Sequence, residues 1–123
     1  MGFGDEGFGG GPFGVRRPLR FLAHKLDLDE NQVAELARIL GELKTERAQS
    51  AVDDRRTIAE FADAISGETF DSAKAAAAGQ RRIDSAGKLR DALVRSLGQL
   101  HALLRPEQRA RLAYLIRAGV LGL

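Results

Sequence analysis

Two histidines, His24 and His101, are the only imidazoles in this 123-residue sequence, and it holds no cysteine. Without cysteine there are no disulfides, no thiolate nucleophiles and no Cys-ligated zinc. A pair of imidazoles can still hold a metal when a carboxylate joins them. His24, His101 and either Asp27 or Glu30 would form a two-His, one-carboxylate set able to take zinc, nickel or cobalt. No His pair at i,i+4 supports that site, so the expectation is two ordinary helix histidines and no cofactor. Catalysis has less support still. The sequence contains neither HExxH nor a Ser/His/Asp arrangement. Its "GFGGGPFG" stretch is not followed by Lys-Ser/Thr, as a phosphate loop would be. Asp53, Asp54 and Asp63 read as charges on a solvated helix face. The sequence predicts a protein with no catalytic residues, not an enzyme.

Arginine is the chemistry that the sequence does offer. Arg16, Arg17 and Arg20 form one group, Arg55 and Arg56 a second, and Arg81 and Arg82 a third that continues into Lys88, Arg90 and Arg95. These seven arginines of the three groups are the candidate surface for a partner protein. The charge is unevenly spread, with a balance of +1 over 1–28, −5 over 29–80 and +6 over 81–123. An acidic segment followed by a basic one suits two helices lying side by side, or a basic face shown to a partner. Nucleic acid is disfavoured, because a net charge of +2 is weak for a phosphate-binding protein.

The elements that carry these residues follow from composition and periodicity. A hydrophobic share of 44% with 6% aromatics implies a core of Leu, Ala, Ile and Val. No apolar run is long enough to cross a membrane. Phe3, Phe8 and Phe13 recur every five residues in a Gly-rich opening, so residues 1–15 are expected to be a disordered head and 16–123 a single domain. The opening lacks the pattern of a secretory signal. As it stands the chain is expected in the cytosol, or outside it if a signal has been removed.

Pro18, followed by Leu19, Leu22, Ala23 and Leu26, predicts a short amphipathic helix. "LDENQ" (28–32) predicts a helix start: Asp29 as N-cap, Gln32 at N3, and Leu28 stapled to Val33. The apolar stripe runs through Val33, Leu36, Leu40 and Leu43, thins to Ala48, Ala51 and Val52 in a polar break over 44–57, and resumes as Ile58, Phe61, Ala62 and Ile65. A helix over 29–65 would be roughly 55 Å long, so a thin molecule is expected. In "SGETF" (66–70), Gly67 suits a left-handed helix end and Thr69 a cap. A second long helix follows through Ile83, Ala86, Leu89, Leu93, Leu97, Leu100 and Leu104, with Gly79, Gly87 and Gly98 marking possible close approaches of another helix. "LRPEQ" (104–108) repeats the punctuation, with Pro106 at N1 and Gln108 at N3 but Arg105 a poor cap, and Gly119 ends a last short helix. The fold class is all-α: four helices, a long antiparallel hairpin with short flanking helices. A lone hairpin is too thin to bury both stripes, so a homodimer is expected.

Two five-residue helix starts in register with this helix order, Leu28-Asp29-Glu30-Asn31-Gln32 and Leu104-Arg105-Pro106-Glu107-Gln108, resemble the Leu-Thr-x-x-Gln motifs of the Spy/CpxP family of small stress proteins. That family includes the zinc-associated ZraP, and heavy-metal sensors of the CnrX type share the long-hairpin build. Leu28, Asp29, Gln32, Leu104, Pro106 and Gln108 carry the resemblance. Thr is replaced by Asp29, which keeps the cap chemistry, and by Arg105, which does not. The resemblance implies a curved, four-helix, cradle-shaped dimer in the periplasm. It also implies ATP-independent binding of unfolded clients, or restraint of a sensor kinase, with metal sensing as the alternative.

Overall fold

Several helix boundaries among the described residues have a local chemical cause. In the computed structural model, which describes residues 16–122, the elements are α1 (Arg16–Lys25), α2 (Glu30–Ser66), α3 (Ser72–Leu103) and α4 (Pro106–Arg117), with no strand among the described residues. Residues 1–15, with the Phe-Gly head, lie outside the described residues. No described helix is long and apolar enough to cross a membrane.

Pro18 lies in the first described turn of α1. The missing proline N–H costs nothing there, since the first four amides of a helix have no partner within it. α1 ends in a Schellman motif. Asp27 takes a left-handed φ of 54°, Leu28 N donates to Ala23 O at 3.0 Å, and Asp27 N donates to His24 O at 3.3 Å. α4 closes in the same way. Gly119 has φ 76°, Val120 N donates to Leu115 O at 3.2 Å, and Gly119 N donates to Ile116 O at 3.0 Å.

The turn between the long helices differs from the sequence expectation. Gly67 does not adopt positive φ, and the cap of α3 is Asp71, not Thr69. Lys74 N donates to Asp71 Oδ1 at 3.0 Å, and Asp71 N reaches back to Ala64 O at 2.9 Å. Reversing the chain takes the whole of 67–71, so the first amides of α3 lie beyond Thr69 and within reach of the Asp71 carboxylate.

The described chain divides into two compact units. The first combines the chain up to Lys44 with the chain from Val94 on, and the second is Thr45–Leu93. The first unit has an aliphatic core. Leu22 of α1, Leu26 just after it, Leu36 of α2, Leu104 between α3 and α4, Leu112 and Leu115 of α4, and Leu121 are all buried and packed together. Burial at this scale contributes about 1.5–3 kcal/mol per leucine.

The second unit is packed differently. Its buried residues are Thr57, Ala64, Ala78, Ser85 and Ala92, placed seven residues apart along each helix. The apolar stripe expected to fill the seam lies outside it: Ile58, Phe61, Ala62, Ile65, Ile83 and Ala86 are exposed, Ile65 by 74%. Small side chains let the two helix backbones approach closely, which leaves no room between them for isoleucine or phenylalanine.

Candidate functional site

The two glutamines of the quoted motifs meet. Gln32 N donates to Asp29 Oδ1 at 2.8 Å, and Asp29 N donates to Gln32 Oε1 at 3.1 Å, which are the reciprocal bonds of a capping box. At α4, Arg105 N donates to Gln108 Oε1 at 2.8 Å. A guanidinium has only donors, so the other half of that box cannot form. The Arg105 guanidinium pairs instead with Glu107 at 2.8 Å, a contact that raises the basicity of Arg105 and holds the Glu107 carboxyl below its usual range.

Across the first unit the amides bond each other. Gln32 Nε2 donates to Gln108 Oε1 at 2.8 Å, and Gln108 Nε2 donates to Gln32 Oε1 at 3.2 Å. The remaining amide protons reach the open ends of the preceding helices. Gln32 Nε2 donates to Leu103 O at 3.1 Å, while Gln108 Nε2 is shared between Leu26 O at 3.1 Å and Asp27 O at 3.2 Å. Each amide thus uses both donors and both acceptor positions, and Gln108 is only 1% exposed. Two α4 arginines add to the arrangement. Arg109 Nε donates to His101 O at 2.8 Å, and Arg111 Nη1 donates to Lys25 O at 3.0 Å. Cations beside the C-terminal ends of α1 and α3 also suit the helix dipoles. This centre ties four helix ends together and leaves no reactive group free, so its chemistry is structural.

The second unit carries four of the arginines singled out in the sequence. Arg81 Nη1 pairs with Glu60 Oε2 at 3.0 Å, and the Arg82 guanidinium lies 5.5 Å from the centroid of the Phe61 ring. Arg55 and Arg56 are exposed on α2. Asp53 accepts hydrogen bonds from Gln49 at 3.1 Å and Ser85 at 3.0 Å; these, in that order, hold its carboxyl below the usual range, helped by Lys88 and Arg56. The structure therefore gathers Arg55, Arg56, Arg81 and Arg82 within one unit. Arg16, Arg17 and Arg20 are carried by α1, in the other.

His24 and His101 are both exposed. Among the described residues no group of three or more His, Cys, Asp or Glu could hold a metal ion. Sequence reasoning missed Arg109, whose partner His101 O is eight residues away, and Arg111, because nothing local marks an arginine whose partner lies 86 residues away. It also missed Asp71, although Asp71-x-x-Lys74 has the spacing of a cap and its amide.

The model of the LTXXQ motif family matches residues 15–115, most of the chain and both glutamine motifs. No curated protein and no solved structure matches it.

Proposed function

This chain belongs to the LTXXQ motif family, and on that premise we propose that it is a non-enzymatic, ATP-independent binding protein of the Spy/CpxP kind. It works as a homodimer and holds unfolded clients, or a partner protein in a stress response. One observation carries this reading: the second unit buries Thr57, Ala64, Ala78, Ser85 and Ala92 and turns its large apolar side chains outward, beside arginines. Exposed apolar surface of that kind marks a place of contact with another chain. On α3, Ile83 is 65% exposed and is preceded by Arg81 and Arg82 and followed by Asp84, with Lys88 and Arg90 further on. An unfolded chain would be drawn by the cations and retained on the apolar side chains. The protein operates without zinc, nickel or cobalt.

The test is suppression of aggregation of a chemically unfolded client, without ATP, with and without added zinc or nickel. Suppression independent of metal is the expected result. Replacing Arg55, Arg56, Arg81 and Arg82 by Ser should slow capture and reduce its salt sensitivity; unchanged capture kinetics would remove these residues from the account. Suppression that needs metal and is lost when His24 and His101 are changed together would replace this reading with the metal-sensing one.

A further inference from the structure

The exposed side of α1 is cationic along its length. Arg16, Arg20 and His24 follow one another at steps of four residues, with Arg17 beside them, and all four are exposed. Pro18 and Leu22, on the other side, are buried, as is Leu26 just beyond the helix. α1 contains no acidic residue. Arg16 and Arg20 form no ion pair with another described residue.

More cations gather at the C-terminal end of α1. The Lys25 ammonium lies 5.8 Å from the centroid of the Phe21 ring, and Arg111 Nη1 donates to Lys25 O at 3.0 Å. The acids that follow α1 are engaged elsewhere. Asp29 accepts from the Gln32 amide at 2.8 Å, and Asp29 and Asp27 act, behind Glu107, on the basicity of Arg105. Over the described residues the first unit carries eleven Lys and Arg against six Asp and Glu, a balance of +5. The second carries eight against nine, a balance of −1.

Such a face calls for an anionic partner, and its form selects which one. The row is straight, about 12 Å from Arg16 to His24, and a straight row on a convex helix meets a flat charged plane along its whole length. The leucines of α1 are committed to the core, so they cannot enter a membrane. Apolar side chains come instead from the sequence just before α1, where Phe3, Phe8 and Phe13 are each followed by glycine and Asp5 and Glu6 are the acids. Cations and apolar side chains together are the two signals that hold a protein on a bilayer without a spanning helix.

We propose that the outer face of α1 docks on the headgroup surface of an anionic phospholipid bilayer, with Phe3, Phe8 and Phe13 entering its interfacial layer. The contact is independent of the arginines of the second unit.

The experiment is co-sedimentation of the full chain with vesicles of phosphatidylcholine alone, or of equal parts phosphatidylcholine and phosphatidylglycerol, at low and at high salt. The wild type should bind the mixed vesicles, weaken as salt is raised, and ignore phosphatidylcholine alone. Each cation near an anionic surface is worth about fivefold in partitioning, so Arg16→Ser, Arg17→Ser and Arg20→Ser together should cost about 100-fold. Helix content should hold, because all three positions are exposed, and lysine at the same three positions should retain binding. Changing Phe3, Phe8 and Phe13 to Ser should weaken vesicle binding by about tenfold or more. Serine at Arg55, Arg56, Arg81 and Arg82, which tests client capture, should leave vesicle binding unchanged. No binding to the mixed vesicles, or a triple serine variant of α1 that binds like the wild type, would overturn the proposal. Phenylalanine variants that bind vesicles like the wild type, with polyglutamate competing for the same arginines, would overturn it in favour of an acidic protein partner.

Discussion

Replacing Gln108 by Leu tests the centre of the first unit with little change in side-chain volume. The substitution removes one amide from a closed pair. It strands the Arg105 N–H, now bonded at 2.8 Å, and one N–H of the Gln32 amide, also bonded at 2.8 Å. It takes the donor from Leu26 O and Asp27 O as well. A buried donor left unsatisfied costs about 1–3 kcal/mol. Two such donors and the deprived carbonyls, less a small gain from added apolar burial, come to ~3–5 kcal/mol. For a chain of this length that lowers Tm by roughly 10–20 °C. Urea unfolding followed by far-ultraviolet circular dichroism measures the loss, and amide exchange at Arg105 should accelerate with it. The double variant Gln32→Leu, Gln108→Leu is the sharper check, because each single change strands an amide that the other would have removed. The double should cost ~1–3 kcal/mol less than the two singles summed. A single-variant loss under ~1 kcal/mol, or strict additivity, would refute the closed amide pair.

Three other outcomes follow from local geometry. A Cβ added at Gly87 or Gly98 of α3 would meet nothing within 4 Å, so Gly87→Ala and Gly98→Ala should each stabilise the chain by ~0.5–1 kcal/mol in thermal melts; a loss of stability would contradict the open space. Asp27 has φ 54° and Gly119 φ 76°, so Asp27→Gly should raise stability by a few tenths to ~1 kcal/mol while Gly119→Val lowers it by ~1 kcal/mol or more; equal effects would argue against the left-handed helix ends. Thr57 is fully buried with no hydrogen-bond partner for Oγ1, so Thr57→Val should be neutral or stabilise by ~1 kcal/mol, and a marked loss on urea titration would reveal a partner for that hydroxyl.

What could be read from the sequence was what depends on neighbours in the chain. Asp29 and Gln32 stand three residues apart and bond each other, and Pro106 opens α4 where its fixed φ suits the first helical position. The meeting of Gln32 with Gln108 was hidden, because two similar motifs 76 residues apart say nothing of whether their side chains touch. The second unit misled for a physical reason. Periodicity identifies a stripe but not its side of contact, and the stripe of Ile58, Phe61 and Ile65 is stronger by hydropathy than the one holding Thr57 and Ala64 that forms the seam. The four arginines of that unit were legible in sequence as two pairs; the engagement of Arg81 with Glu60 and of Arg82 with Phe61 was not, since it depends on the pairing of α2 with α3.

The discontinuity of the first unit has a consequence for how the chain is made. Its core joins residues before Lys44 to residues after Val94, with the other unit lying between them in the chain. The intervening hairpin needs only contacts close in sequence, the kind that form fast. Gln32, by contrast, must wait for a residue 76 positions later. At ribosomal rates of about 5–20 residues per second that wait lasts roughly 4–15 s. Throughout it Leu22, Leu26 and Leu36 have been synthesised without the α4 leucines that cover them. The hairpin about the turn at 67–71 can thus form before the first unit has all the residues of its core. A chain cut short before Gln108 could keep its hairpin but could never complete the four-helix junction.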